Sequence, residues 1–175
     1  KRYFVASEYE SSVYATMDAK NCMPCMAKMS IDADFAEPSE YNNMDNMKQG
    51  RITPEWIDTL KDNEVFVFGS NLAGMHGGGA ARVAHLRFGA VLGKGVGLQG
   101  QSYAIPTMQG GVETIRPYVN DFIAFAKANP EKHFLVTPIG CGIAGFEPED
   151  IAPLFESAKT INNISLPESF WEVIE

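Results

Sequence analysis

Twice in this chain a short apolar run ends in a cluster of glycines that opens onto a helix signal. The first is Val65-Phe66-Val67-Phe68, followed by Gly69-Ser70-Asn71-Leu72-Ala73-Gly74-Met75-His76-Gly77-Gly78-Gly79 and a helical segment from about Ala80 to Phe88. The second is His133-Phe134-Leu135-Val136-Thr137, followed by Gly140-Cys141-Gly142-Ile143-Ala144-Gly145-Phe146 and a helix opened by Pro148 and running to about Lys159. An apolar run without polar alternation is the pattern of a strand buried on both faces, as in a parallel sheet. Between the two units, Tyr103-Ala104-Ile105-Pro106 reads as another strand. Thr114 to Asn129 reads as a helix, with Ile115, Tyr118, Val119, Phe122, Ile123 and Ala126 at helical spacing and Pro130 past its end. Two further elements are expected at the borders. Thr53 and Pro54 have the order of an N-cap and first helical residue, ahead of a face carrying Trp56, Ile57 and Leu60. Phe170-Trp171-Glu172-Val173-Ile174 reads as a closing strand. Strands alternating with helices specify a three-layer α/β fold, a mixed but mostly parallel sheet with helices on both faces.

The glycines and methionines divide the chain. Twelve of the 16 glycines lie between Gly69 and Gly111, whereas six of the eight methionines lie between Met17 and Met47. Residues 1–50 therefore read as a Met-rich extension, with a short strand at 3–7 and irregular chain and short helices beyond, and residues 51–175 as the α/β domain. At 175 residues and 45% hydrophobic, the chain is long enough for one full core. A net charge of −8 argues against non-specific nucleic-acid binding, which needs clustered cations. No apolar run of membrane-spanning length occurs and the first residues have no apolar signal-peptide core, so no membrane association is expected. Three cysteines make no disulfide framework, and a cytoplasmic location is the expectation. Cys22-Met23-Pro24-Cys25 has C-x-x-C spacing, but no second ligand pair accompanies it, so no metal and no cofactor are expected.

The glycine loops carry the candidate chemistry. Consecutive glycines let backbone approach a ligand and present N–H groups to an anion, and a helix N-terminus adds its positive end. Neither loop is a G-x-x-x-x-G-K-[ST] nor a clean G-x-G-x-x-G string, so neither an ATPase nor a standard dinucleotide fold is indicated. The candidate ligand-binding residues are Gly69, Ser70, Asn71, His76, Gly77, Gly78, Gly79 and Ala80 in the first loop. In the second they are Gly140, Cys141, Gly142, Ile143, Ala144, Gly145 and Phe146. His76 is a candidate proton shuttle or phosphate partner, against the alternative of a surface loop histidine. Cys141, at a strand end ahead of a helix, is a candidate low-pKa nucleophile paired with His76, against the alternative of a small residue filling a loop. Gln99, Gln101 and Tyr103 read as loop support, His85 as packed or solvent-facing, and His133 as exposed.

Taken together, the two loops resemble the macrodomain, the ADP-ribose-binding α/β module. Val67-Phe68-Gly69-Ser70-Asn71 is similar to its strand-end motif, His76-Gly77-Gly78-Gly79 to its glycine loop beside the distal ribose, and Thr137-Pro138-Ile139-Gly140-Cys141-Gly142 to its diphosphate loop. Gly50-Arg51-Ile52-Thr53 is similar to the Gly-Asp-Ile-Thr string that opens many members. The resemblance covers about residues 50–175. It implies a ligand of the ADP-ribose class, with Asn71 at the distal ribose. Acids familiar from the family have no counterpart: Arg51 stands where an adenine-contacting Asp is usual in the opening motif, and in place of acids of its hydrolases Ala81 follows the glycines and Ala144 sits inside the second loop. The Gln-Glu-Glu signature of the glycohydrolases is also absent after Gly79. The resemblance thus implies a reader, or a slow atypical hydrolase or phosphatase, of ADP-ribose or a related nucleotide diphosphate. A cysteine-dependent small-molecule hydrolase using Cys141 and His76, and a non-catalytic partner-binding protein, stand as alternatives. No oligomeric state follows from any of these features.

Overall fold

The computed structural model describes residues 50–175. Val65–Phe68 lie at the centre of strand β1 (Glu64–Ser70), and alternate residues of that strand serve two different cores. Val65 and Val67 enter a large cluster that includes Ile115, Phe122, Phe134, Phe155 and Phe170, whereas Phe66 and Phe68 enter a smaller one with Ala84, Phe88 and Ala104. That division is why no polar alternation was visible in the run.

The chain continues through α1 (Gly79–Arg87), β2 (Gly97–Gln99), β3 (Ser102–Pro106), α2 (Val112–Ala128) and β4 (His133–Val136). It ends with α3 (Pro148–Ile151), a 3₁₀ helix (Ala152–Thr160), β5 (Ile164–Ser165) and α4 (Glu168–Ile174). The five strands form one mixed sheet in the order β2-β3-β1-β4-β5. β1 pairs parallel with β3 and with β4, β4 pairs parallel with β5, and only β2 is antiparallel to its neighbour. α2, the 3₁₀ helix and α4 supply the large cluster, and α1 supplies the small one, so helices cover both faces. Among the described residues no helix is long and apolar enough to cross a membrane.

Three expectations change. No helix forms at Thr53–Leu60. Instead the Thr53 N–H donates to the Leu166 carbonyl at 2.8 Å, and Ile52 makes a parallel bridge to Leu166. Extended pairing at the sheet border outweighs a local cap signal, and Trp56 is left 83% exposed. The anchor of this segment is Arg51. Its guanidinium donates to the Lys159 carbonyl at 2.9 Å and the Ile161 carbonyl at 3.0 Å, and it lies 5.0 Å from the centre of the Trp171 ring. The expected closing strand is a helix, α4: behind Pro167, the buried Phe170, Trp171 and Ile174 share one helical face. The helix opened by Pro148 keeps α geometry for only four residues. Pro153 has no N–H and its ring opposes the preceding turn, and the chain goes on as the 3₁₀ helix. The expectations for residues 1–49, Cys22 and Cys25 included, lie outside the described residues.

Candidate functional site

Because β1, β3 and β4 are parallel, their C-terminal ends lie on one edge of the sheet, where ligand crevices of open α/β sheets occur. The segments leaving these strands line a single cavity of about 270 Å³. Gly69 and Ser70 end β1, and Asn71, Met75 and residues 78–81 come from the segment after it. Thr107 and Met108 follow β3, and residues 137–140 and 142–144 follow β4. The loops face each other closely: a Cβ on Gly78 would lie 3.3 Å from Ile143 Cδ1. Gly140 is required by its backbone, at φ +77° with Ile151 packed where a side chain would go.

Among the described residues no charged or titratable side chain lines this cavity. Its polar side chains serve the loops themselves. Ser70 Oγ donates to the Gly95 carbonyl, Thr107 Oγ1 to the Ser70 carbonyl at 3.4 Å, and Thr137 Oγ1 to the Val67 carbonyl at 2.8 Å. Asn71 Oδ1 accepts from the Met75 N–H at 3.0 Å, and its Nδ2 points to the Met75 carbonyl. What the cavity does offer is backbone. Among the described residues none accepts a hydrogen bond from the N–H of Gly140, Gly142, Ile143 or Ala144. Across from them, Gly79, Ala80 and Ala81 form the first turn of α1, whose N–H groups have no intrahelical acceptor.

His76 and Cys141 are not brought together, and neither lines the cavity. His76 is buried, with its ring edge-on to Phe68 at 5.3 Å. Its Nε2 lies 3.1 Å from the Val91 carbonyl, an acceptor only, so Nε2 carries the hydrogen, and the buried Nδ1 has no partner among the described residues. It is neither a cavity ligand nor a surface histidine. Cys141 packs from the second loop against the large core, its Sγ 3.5 Å from the Ile139 carbonyl. Burial, and then the carboxylates of Glu147, Asp150 and Glu149, push the thiol up to about 11. The expected lowering by a helix end is therefore reversed. Gly77, Gly145 and Phe146 also lie off the cavity wall.

The remaining polar residues hold the scaffold. Gln99 is buried, accepting from the Val91 N–H and donating to the Lys94 carbonyl, both at 2.8 Å. Gln101 donates to the Lys61 carbonyl at 3.0 Å, Tyr103 is in the core, and His85 Nδ1 lies 2.7 Å from the Ala90 carbonyl. His133 is half-buried rather than exposed, with Nε2 2.8 Å from Ser165 Oγ, and burial lowers its pKa. The candidate ligand-binding residues read from the sequence lacked the cavity residues Met75, Ala81, Thr137, Pro138, Ile139, Thr107 and Met108. For the last two the signal was available, since they directly follow a strand that runs parallel to the other two.

A second cavity, of about 590 Å³, opens where β1 and β4 begin and is lined by Trp56, Asp58, Lys61, Glu64, His133 and Ser165 among others. Its ionic groups are engaged with neighbours: Lys61 Nζ lies 3.2 Å from Glu64 and Arg87 lies 2.6 Å from Asp58.

No protein-family model, curated protein or solved structure shows a significant match to this chain. The class it belongs to is accordingly stated from fold and site: an α/β domain with a mixed five-stranded sheet and an uncharged, backbone-lined cavity at the strand ends.

Proposed function

We propose that the domain is macrodomain-like and binds ADP-ribose or a related nucleotide diphosphate between its two glycine loops. The observation that supports this most is the two sets of cavity-lining N–H groups, from residues 140 and 142–144 and from the first turn of α1, that find no acceptor within the described protein. Backbone donors and a helix N-terminus hold phosphate without cationic side chains, which suits a chain of net charge −8. The cavity volume, about 270 Å³, fits a diphosphate with its adjoining ribose, and the rest of the ligand lies over the rim formed by Met75, Met108 and Ile143.

The same wall argues for a reader over a fast hydrolase. A positioned acid or base is worth about 10²–10⁴ in rate, and the cavity holds no titratable side chain to supply it. The cysteine–histidine alternative has no supporting geometry. Calorimetry of ADP-ribose against the whole chain and against Gly78→Val tests the proposal. Saturable binding is expected for the first and binding weaker by about 100-fold for the second, at similar melting temperatures. Equal binding by both would place the ligand elsewhere and defeat the reading.

A further inference from the structure

Resting on that reading of the cavity, we infer that the site recognises the diphosphate of its ligand and does not read the base. A protein distinguishes one base from another through donors and acceptors aimed at the ring edge, and an analogue that mismatches them leaves buried polar groups unpaired. Here the side-chain donors of the wall are directed at its own backbone. The hydroxyl hydrogens of Ser70, Thr107 and Thr137 all go to backbone carbonyls. Asn71 is engaged with the Met75 backbone through both its oxygen and its nitrogen. Among the described residues no carboxylate, ammonium, guanidinium or imidazole is present in the wall. Arg51 lies outside it, with its guanidinium on the carbonyls of Lys159 and Ile161.

What the wall presents beyond the N–H groups is apolar and exposed: Met75 at 69%, Met108 at 51% and Ile143 at 78%. Thioether and aliphatic surface packs on the face of any planar ring, purine or pyrimidine. The contact adds affinity and carries no information about the ring edge. The ligand class is therefore a nucleoside diphosphate or diphosphate-linked sugar with an interchangeable base.

The test is competition on the full chain, with bound ADP-ribose as reference and ADP, GDP, UDP, CDP and AMP as competitors. The four diphosphates are expected within about tenfold of one another, and AMP weaker than ADP by about tenfold or more. A preference above about tenfold for one diphosphate, with ADP-ribose bound normally, overturns base indifference while leaving the cavity assignment intact. AMP binding as tightly as ADP overturns it too, because the nucleoside would then be what is read. If ADP-ribose itself fails to bind, the cavity assignment falls, and the inference with it. Gly78→Val, checked for an unchanged melting temperature, locates the binding. All four diphosphates are expected to be lost together, and equal affinities surviving in that variant would belong to another place and overturn the inference.

Discussion

The two ends of the sheet carry cavities of opposite character. The one at the strand starts is the larger, about 590 Å³, and collects Asp58, Lys61, Glu64 and His133. The one at the strand ends is about 270 Å³ and has no charged side chain. Size and charge alone would select the first. Yet its groups answer one another: Lys61 with Glu64, Asp58 with Arg87, and His133 with Ser165. At the other end the hydrogen-bonding capacity left over in the cavity wall is backbone, on residues of two facing loops. Capacity without a partner is a better guide to a ligand site than the number of ionisable residues.

The largest effect that would break the comparison comes from a glycine outside the cavity. A Cβ at Gly95 would overlap the Asn71 carbonyl oxygen, and the Gly95 carbonyl also receives the Ser70 hydroxyl. Gly95→Val is expected to destabilise the fold by about 3 kcal/mol, as overpacking against backbone does, read from the urea midpoint. A change below about 0.5 kcal/mol would mean that the first loop is not held by this contact.

Gly78→Val tests the proposed ligand site instead. Gly78 has an ordinary extended φ of −150°, and its nearest obstacle is the end of the Ile143 side chain. Little stability is expected to be lost. A branched side chain projecting between the loops is expected to weaken ADP-ribose by about 100-fold, or ~2.7 kcal/mol. The pair of variants thus separates a glycine that packs the loop from one that leaves room for a ligand.

How much of this was legible in the sequence follows the same division. Val65–Phe68 and Phe134–Val136 were readable because burial on both faces imposes an unbroken apolar run. The facing loops were readable because their glycines cluster directly after those strands. Phe170–Ile174 was not, since five mostly apolar residues suit a strand or a helix equally, and the large core beneath Phe170, Trp171 and Ile174 decided for a helix. The Thr53-Pro54 signal failed for a related reason: its competitor, the Leu166 carbonyl, lies more than a hundred residues away in sequence. His76 was misjudged because its burial depends on Phe68 below it and on the Val91 carbonyl, which Gln99 helps to fix through the Val91 N–H. None of those contacts is local.

A smaller effect, in acid, belongs to the charged end alone. Burial lowers the His133 pKa, with Glu64 opposing and Lys61 and Arg51 reinforcing. A histidine whose folded pKa is depressed costs the fold nothing while it is neutral in both states. It takes stability away as pH falls below the ordinary value near 6.5 and the unfolded chain binds the proton first. For Glu64, burial works upward but the Lys61 N–H and ammonium hold the carboxyl below its usual range. Its contribution is present above the usual carboxylate range and is lost at lower pH than the histidine effect. Urea midpoints at pH 7.5 and pH 5.5 are expected to fall less in His133→Gln than in the parent chain. An identical fall in both would remove His133 from the account.

The smallest expected effect is at the uncharged end, where almost nothing should happen. Both phosphates of ADP-ribose are ionised throughout the range from pH 5.5 to 8, and no side chain in the cavity wall titrates there. Affinity is therefore expected to stay within about twofold across that range. Salt gives an independent reading. A site built on lysine or arginine weakens as screening grows, with a Debye length of about 10 Å at 0.1 M shrinking to about 3 Å at 1 M. In the proposed site the local contacts would be backbone dipoles at close range, and the long-range field is that of a chain with net charge −8, which repels an anionic ligand. Added salt screens that repulsion and leaves the dipoles in place, so the affinity should hold or rise slightly between about 50 and about 500 mM salt. A tenfold weakening would require a cation at the ligand, and a step near pH 6.5 would require a histidine there. Either result would erase the contrast between the two ends of the sheet.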